Sequence, residues 1–363
     1  QVGASFPVFL HPDTREEYAL ARRERKEGHG YHGFAVDFSP EVTLEEDLLR
    51  RDLTINAMAR DKDGEIIDPW GGRRDLENRV LRHVSPAFRE DPLRVLRVAR
   101  FAARLASLGF TVHPSTVELM REMVDSGELE HLVPERVWAE FEGALAEDHP
   151  GVFVETLREC GALKVLLPEV DRLFGVPQPE KYHPEIDTGV HVLMAMNLAA
   201  ANGWGPGVVF ALLLHDLGKG ITPREEWPSH VRHEQRGVPL AADVCERFRV
   251  PSRYRRLALT VTSLHLRCHR FAEMKAPARL RLLEAADLFR RPEQLEDFTR
   301  ACEADYRGRG GFEDRDYPQA QMLAESLHKA SAVSARDIDT EGLSGQAIGA
   351  RLRKARELAI AGE

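Results

Sequence analysis

Ser85-Pro-Ala-Phe-Arg-Glu-Asp-Pro-Leu-Arg-Val-Leu-Arg-Val-Ala-Arg100, running on through Arg104 to Gly109, is the stretch whose reading decides the fold. Asp91 stands before Pro92, and proline suits the first position of a helix. Asp91 therefore predicts an N-cap and Gly109 a C-terminal stop. Arg94, Arg97, Arg100 and Arg104 recur at intervals of three, three and four. On a helix they fall within about a third of the circumference. Val95, Ala99, Ala102 and Ala106 lie on the opposite side. The stretch thus predicts a helix with one apolar face and one row of guanidinium groups.

A charged row of this kind is usually a solvated face with scattered ion pairs. These arginines, however, carry no matching row of acids, and guanidinium groups are fixed, bidentate donors suited to phosphate. Glu90-Asp91-x-x-Arg94 also sets an acceptor beside a donor. Cytosine and adenine each show an amino donor beside a ring-nitrogen acceptor on their pairing edge; uracil and guanine show a carbonyl beside an N–H. An accepting Asp next to a donating Arg would bond C or A and mismatch U or G, which is how a protein reads an exposed base edge.

Glu90-Asp91-x-x-Arg94, preceded by Arg50-Arg51-Asp-Leu-Thr-Ile-Asn-Ala57, resembles the paired motifs of the bacterial class II tRNA nucleotidyltransferases, the CCA-adding enzymes. The related poly(A) polymerases share both motifs. The resemblance implies an α+β fold, with a partial nucleotidyltransferase sheet of the polymerase-β type followed by an all-α neck and body. It implies that Arg51 contacts the nucleotide, with Asp52 and Asn56 near the ribose. Asp91 and Arg94 would choose the base, and Arg51, Arg97 and Arg100 would hold the triphosphate. Two Mg²⁺ ions on an Asp-x-Asp pair would drive attack of the tRNA 3′-hydroxyl on the α-phosphate of CTP or ATP. In the family that pair follows a Gly-Gly-x-Val-Arg-Asp segment. The combination is not found here, so the expectation is a chain that starts inside the catalytic head. Glu17 matches the strand on which the family carries a third acid near the metals; a solvent-facing strand glutamate is an equal reading.

Alternating polarity predicts strands of one sheet over 6–11, 16–25 and 32–38, with a Gly- and His-rich loop over 26–33 that the family uses to switch from C to A. Thr43-x-x-Glu46 is a capping box opening a helix to about Asp52. Arg50 and Arg51 in its last turn also suit the helix dipole. Residues 57–68 predict a hairpin turning at 61–64, and Asp68-Pro-Trp-Gly-Gly72 a hinge-like turn. From 86 to about 180 the pattern is helical, with Glu135–Leu145 an amphipathic packing helix and the Pro-rich 176–184 a linker. The domains expected are a head remainder (1–84), a helical neck and body (85–175), a helical HD domain (185–290) and a helical tail (291–363).

Beyond the linker, His191 precedes Val208-Val-Phe-Ala-Leu-Leu-Leu-His215-Asp216-Leu-Gly-Lys219. The apolar run predicts a buried helix, and an adjacent His and Asp at its end are costly unless paired or metal-bound. A His followed by a His-Asp doublet resembles the HD phosphohydrolase superfamily, whose pattern also needs a later Asp, for which Asp305 is the candidate. His191, His215, Asp216 and Asp305 are thus expected to hold a divalent metal, either Mg²⁺ or a transition metal such as Ni²⁺. Lys219, His233 and His265 are expected on the substrate phosphate, and His233, His265 and His269 suit a second metal as an alternative. Among CCA-adding enzymes this domain implies the multifunctional subtype, with phosphatase, 2′-nucleotidase and 2′,3′-cyclic phosphodiesterase activities.

At 363 residues the chain is long enough for two or three domains. It shows no run of about 18 apolar residues, so no membrane span is expected, and no signal peptide is visible. Cys160, Cys245, Cys268 and Cys302 form no CxxC pair, which points to a reducing cytoplasm rather than a disulfide or zinc framework. The net charge of −9 confines RNA contact to local basic faces. One is the arginine helix; another is the tail after Gly342 with Arg351, Arg353, Lys354 and Arg356, where a solvated helix is an equal reading. The partners expected are tRNA, ATP and CTP, for a monomer or homodimer. The alternatives are a poly(A) polymerase, or an HD phosphohydrolase with an RNA-binding N-terminal module.

Overall fold

A computed structural model describes residues 8–26, 34–37, 39–338, 341 and 343–362, and the chain divides into two units, Gln1–Pro168 and Glu169–Glu363. Most of the Gly- and His-rich loop, the outer ends of the first and third expected strands, and Gly342 lie outside the described residues.

In the first unit β1 (Val8–Leu10) pairs antiparallel with β2 (Glu17–Ala19), and β3 (Arg23–Lys26) with β4 (Phe34–Asp37). One sheet was expected; among the described residues these are two separate ladders. Alternation specifies strands but not their partners, and here Phe9 and Tyr18 remain exposed instead of covering a shared core. α1 (Leu44–Leu49) opens on the expected capping box: the Thr43 hydroxyl accepts from the Glu46 N–H while the Glu46 carboxylate accepts from the Thr43 N–H. β5 (Ala59–Arg60) and β6 (Ile66–Ile67) close the predicted hairpin over an Asp61 carboxylate that accepts from the Asp63 and Glu65 N–H groups. The expected hinge is a pinned turn: Asp68 accepts from the Gly72 and Arg73 N–H groups and so caps α2 (Gly72–Glu77).

β7 (Val80–Leu81) leads to the arginine helix, α3 (Leu93–Leu105), and then to its parallel partner β8 (Thr111–Val112). The Asp91 carboxylate accepts from the Leu93 N–H at 3.0 Å, as a cap should. The chain tightens after Leu105 and stops at Gly109, whose φ of +78° suits glycine. Four further helices complete this unit and lead out of it: α4 (Pro114–Asp125), α5 (Pro134–Leu145), α6 (Pro150–Glu159) and α7 (Ala162–Leu166). Val95, Leu96, Val98, Ala99 and Ala103 of α3 are fully buried, against α5 and α6. Burying each large side chain contributes about 1.5–3 kcal/mol, so this face, not the arginine row, holds the helix in place.

The short α8 (Pro168–Asp171) opens onto the second unit. There α9 (Thr188–Ala201), α10 (Pro206–Leu214), α11 (His233–Arg247), α12 (Ser252–His269), α13 (Ala276–Ala285), α14 (Gln294–Arg307), α15 (Gln319–Ser331) and α16 (Gly345–Ala361) follow in order. Every residue of α10 from Val208 to Leu214 is buried, among α9, α12 and α14, so its end can carry polar groups in a dry interior. One reading differs from expectation, the linker. Residues 176–184 are packed into this unit: the Gln178 N–H donates to the Ile186 carbonyl at 2.7 Å, and His183 is buried. α14, in the segment read as a helical tail from 291, packs with α9, α10 and α12 and so brings Asp305 to them. Among the described residues no helix is long and apolar enough to cross a membrane, and all four cysteines are buried free thiols.

Candidate nucleotide cleft and candidate metal centre

In the first unit one cleft is lined by Glu17, Arg51, Asp52, Asn56, Asp91, Arg94, Arg97 and Arg136. Residues read from three separate motifs therefore meet. Arg100 is not in the lining; its Nε lies 3.1 Å from Glu140 Oε2 on α5. Glu17 sits exposed on β2 at the rim. Arg94 is buried and donates to the Ala87 carbonyl at 2.8 Å and the Arg50 carbonyl at 2.5 Å, tying the start of α3 to the end of α1. Asp91 caps α3 through one oxygen and accepts from Arg136 through the other at 2.9 Å.

The arginine row does have matching acids, contrary to the reading of the helix alone. They come from elsewhere in the chain: Asp52 at 2.7 Å from Arg97, Glu140 at 3.8 Å from Arg97, and Glu147 at 3.5 Å from Arg104. A single helix cannot reveal partners supplied across a helix–helix contact. Arg136 and Glu140 were read only as parts of a packing helix, and nothing local marks them as polar groups of the cleft.

Asp52 also accepts from the Leu53 N–H at 2.8 Å and the Asn56 amide at 3.1 Å. Burial pushes its carboxyl up, but Arg97 and these donors hold it below the ordinary carboxylate range. The sign follows from linkage: a lowered carboxyl contributes stability above its unfolded value of about 3.9 and loses it as pH falls through the native value. Asp52→Asn is therefore expected to be destabilised relative to wild type at pH 7. The gap should narrow below about pH 4, as read from urea midpoints; a gap unchanged with pH would mean that the Asp52 charge adds nothing. Glu140 runs the other way, because burial outweighs Arg100 and Arg97 and raises its carboxyl.

In the second unit His191, His215, Asp216 and Asp305 converge in a fully buried centre. His191 Nε2 lies 3.0 Å and His215 Nε2 3.6 Å from Asp305 Oδ1, and His215 Nε2 lies 3.2 Å from Asp216 Oδ2. Two close backbone approaches bring these groups together. A Cβ on Gly308 would lie 2.6 Å from the Ala195 Cα, so only glycine lets the end of α14 meet α9. A Cβ on Gly218 would lie 1.9 Å from the His233 carbonyl, so the turn after Asp216 sits directly on the first turn of α11.

Neighbours orient each ligand candidate in the way that groups around a metal do. His191 Nδ1 faces Glu185 Oε1 at 3.0 Å. His215 Nδ1 donates to the Leu212 carbonyl at 2.7 Å, which leaves Nε2 turned inward without a hydrogen-bond partner. Asp305 accepts from His269 at 2.7 Å and from Arg309 at 3.1 Å. Lys219 Nζ lies 2.6 Å from Asp216 Oδ2 and 2.5 Å from Gln178 Oε1. Burial would lower His215, yet Asp216 and Asp305 raise it to about 10, so the centre favours positive charge. Burial drives His183 down to about 4, while Glu185 is held below the carboxylate range by His183 and His191 against its own desolvation. The donor set of imidazole nitrogens and carboxylate oxygens fits a divalent cation. His183, Glu185 and Arg309 gave no signal in sequence; His269 did, four residues after His265 on one helix face.

Comparisons with known proteins agree with this division. Residues 9–82 match the poly A polymerase head domain, 109–174 the probable RNA and SrmB-binding site of polymerase A, and 188–291 the HD domain. The CCA-adding enzyme of Bacillus stearothermophilus, solved in complex with CTP, shares the fold at a TM-score of 0.64 and 22% identity, over 99% of this chain and 78% of its own. The Thermotoga maritima CCA-adding enzyme, solved with tRNA, superposes at a TM-score of 0.57 and 19% identity, over 99% of this chain and 78% of its own. The multifunctional CCA protein of Pseudomonas fluorescens is 56% identical over 99% of this chain and 88% of its own length. That of Thioalkalivibrio sulfidiphilus is 60% identical over the same shares. On its nucleotide-cleft motifs, its HD centre and this identity along its whole length, the chain belongs to the multifunctional CCA protein family.

Proposed function

We propose that the first unit takes part in adding and repairing the 3′-terminal CCA of tRNA from CTP and ATP without a nucleic-acid template, and that the second hydrolyses phosphoesters with a divalent metal. The observation that carries the first half is the single cleft shared by Arg51, Asp52, Asn56, Asp91, Arg94 and Arg97. Asp91 and Arg94 read the pairing edge of the base. Arg51 and Arg97 hold phosphate, and Arg100, paired with Glu140 beside the cleft, supports that row. Mg²⁺, when bound, supplies charge neutralisation and activates the attacking tRNA hydroxyl. Glu17 at the rim is a single carboxylate and does not by itself make a two-ion site.

In the second unit His191, His215, Asp216 and Asp305 would hold the metal, either Mg²⁺ or a transition metal such as Ni²⁺. Once bound, it supplies an activated water and neutralises phosphate charge. Lys219 holds Asp216 in place, and Glu185, His269 and Arg309 fix the orientation of His191 and Asp305. This unit's substrates, as the resemblance to the multifunctional subtype implies, are phosphomonoesters, 2′-nucleotides and 2′,3′-cyclic nucleotides.

Incorporation of labelled CTP and ATP into tRNA lacking its terminal CCA, by the full-length protein, tests the first half. Within it, Asp91→Asn keeps an acceptor for the α3 cap but presents a changed donor–acceptor pattern to the base. It is expected to lower discrimination for CTP and ATP over UTP and GTP by about 1–3 kcal/mol, the cost of mispairing one polar group against the base. Unchanged ratios of kcat/KM would remove Asp91 from base reading.

A further inference from the structure

The buried centre has two sides, and they come from different parts of the chain. On the Asp216 side, Lys219 Nζ lies 2.6 Å from Oδ2, while His233 Nε2 and His265 Nε2 lie 3.2 and 3.7 Å from Oδ1. These three residues, expected on the substrate phosphate, face the carboxylate. All fall within 188–291, the stretch that matches the HD domain. The Asp305 side is built largely from residues beyond that stretch. Asp305 and Arg309 stand at the end of α14, and Tyr317 and Gln319 stand where the chain enters α15.

The two oxygens of Asp305 have different neighbours. Oδ1 faces His191 Nε2 at 3.0 Å and His215 Nε2 at 3.6 Å and accepts from Arg309 at 3.1 Å, so it is the oxygen offered to a metal. Oδ2 accepts from His269 Nε2 at 2.7 Å. The torsion that turns a carboxylate is broad and roughly two-fold. Oδ1 therefore stays aimed only while Oδ2 is held.

His269 is held in its turn. It is the last residue of α12, where a helix leaves its carbonyls without partners, and the Gln319 amide donates to the His269 carbonyl at 2.9 Å. The Tyr317 ring meets the imidazole edge to face at 5.9 Å, and the Tyr317 hydroxyl lies 3.1 Å from His269 Nδ1. Chemistry places the hydrogens. A carboxylate accepts, so Nε2 carries the ring hydrogen, and Nδ1 of the neutral ring is an acceptor. Burial pushes the Tyr317 hydroxyl well up, so it keeps the hydrogen that Nδ1 needs. The Cys268 thiol, 3.4 Å from the same oxygen, is left to donate to it. Cys268, Tyr317 and Asp305 are all buried, where a polar group left unpaired is costly.

We propose that Tyr317 is a positioning residue of the phosphohydrolase centre, which acts through His269 to hold the Asp305 carboxylate with Oδ1 turned to the metal. The relay runs from the Tyr317 O–H to His269 Nδ1, and from the His269 Nε2–H to Asp305 Oδ2. The connection between α14 and α15 is thereby part of the centre. This rests on the metal-dependent reading of the second unit, because a relay that aims a ligand needs a metal to aim it at.

The test is the Mn²⁺ affinity of the full chain, stripped with a chelator and titrated by equilibrium dialysis, beside its hydrolysis of a 2′,3′-cyclic nucleotide. Tyr317→Phe keeps the ring and its packing and removes only the hydroxyl. It is expected to weaken Mn²⁺ binding by about 10–100-fold, with KM for the cyclic nucleotide unchanged at saturating Mn²⁺. His269→Ala should weaken binding at least as much. Tyr317→Phe added to His269→Ala should then change nothing further, as residues acting in series do. Far-ultraviolet circular dichroism confirms the fold of each variant before titration. Unchanged Mn²⁺ affinity in Tyr317→Phe overturns the proposal. So does a loss of the same size with and without His269, which would make the hydroxyl a packing group. No Mn²⁺ bound by wild type, or binding as tight in Asp305→Ala, overturns the metal reading and the relay with it.

Discussion

Asp216→Ala is expected to abolish metal-dependent hydrolysis of a 2′,3′-cyclic nucleotide and also to destabilise the second unit. Loss of a group that only orients a ligand typically costs about 10–100-fold, so loss of a ligand should cost on the order of 10³-fold or more in kcat/KM. The stability effect has a separate cause. Lys219 is buried with its Nζ 2.6 Å from Asp216. Removing one partner of such a pair costs about 3–5 kcal/mol, because the other charge stays buried without compensation. The two effects separate in the double variant Asp216→Ala/Lys219→Met, which removes the stranded ammonium. Thermal denaturation should recover most of the lost stability, and hydrolysis should not return. Hydrolysis that persists in Asp216→Ala, or that needs no metal in wild type, would make the His-Asp doublet structural.

Arg97→Ala should produce the largest change in the first unit. Arg97 is held between Asp52 and Glu140, both buried. Arg97 is itself 35% exposed, so the loss should fall at about 2–4 kcal/mol, the lower end for a broken buried pair. If the same guanidinium also holds phosphate, KM for CTP and ATP should rise by similar factors, because the two triphosphates are identical there. Arg97→Lys keeps the charge but not the bidentate fork, and should recover stability better than KM. A rise in KM for one nucleotide alone would take Arg97 off the triphosphate. A fall in melting temperature with no change in either KM would make it a structural ion pair only.

What could be read in advance was what depends on neighbours in the chain. The Asp91 cap, the Gly109 stop, the Thr43–Glu46 box and the buried helix before His215 each follow from residues a few positions apart, whose chemistry acts locally. Arg136 and Glu140 escaped because their partners sit on other elements, and an amphipathic helix tells which face is polar but not what that face meets. Glu185 and His183 escaped for the same reason. The proline-rich 176–184 misled because proline marks a break in regular structure, not a break in packing; Gln178 inside it reaches Lys219. Asp305 was found only through the resemblance to HD proteins, since nothing near it distinguishes it from any other acidic residue on α14.

His191 and Asp305 meet although they stand 114 positions apart in the chain, and that distance has a meaning during biosynthesis. At a translation rate of about 5–20 residues per second, the earlier ligands wait roughly 6–23 s for the later one to be made. Through that interval α10 lacks the cover of α14, and its unbroken apolar run from Val208 to Leu214 is exposed surface of the kind that aggregates or calls on chaperones. A ribosome stalled between Asp216 and Asp305 leaves a nascent protein with its first unit already made and a half-made metal site. Such a chain is one that quality control can recognise by its greasy helix.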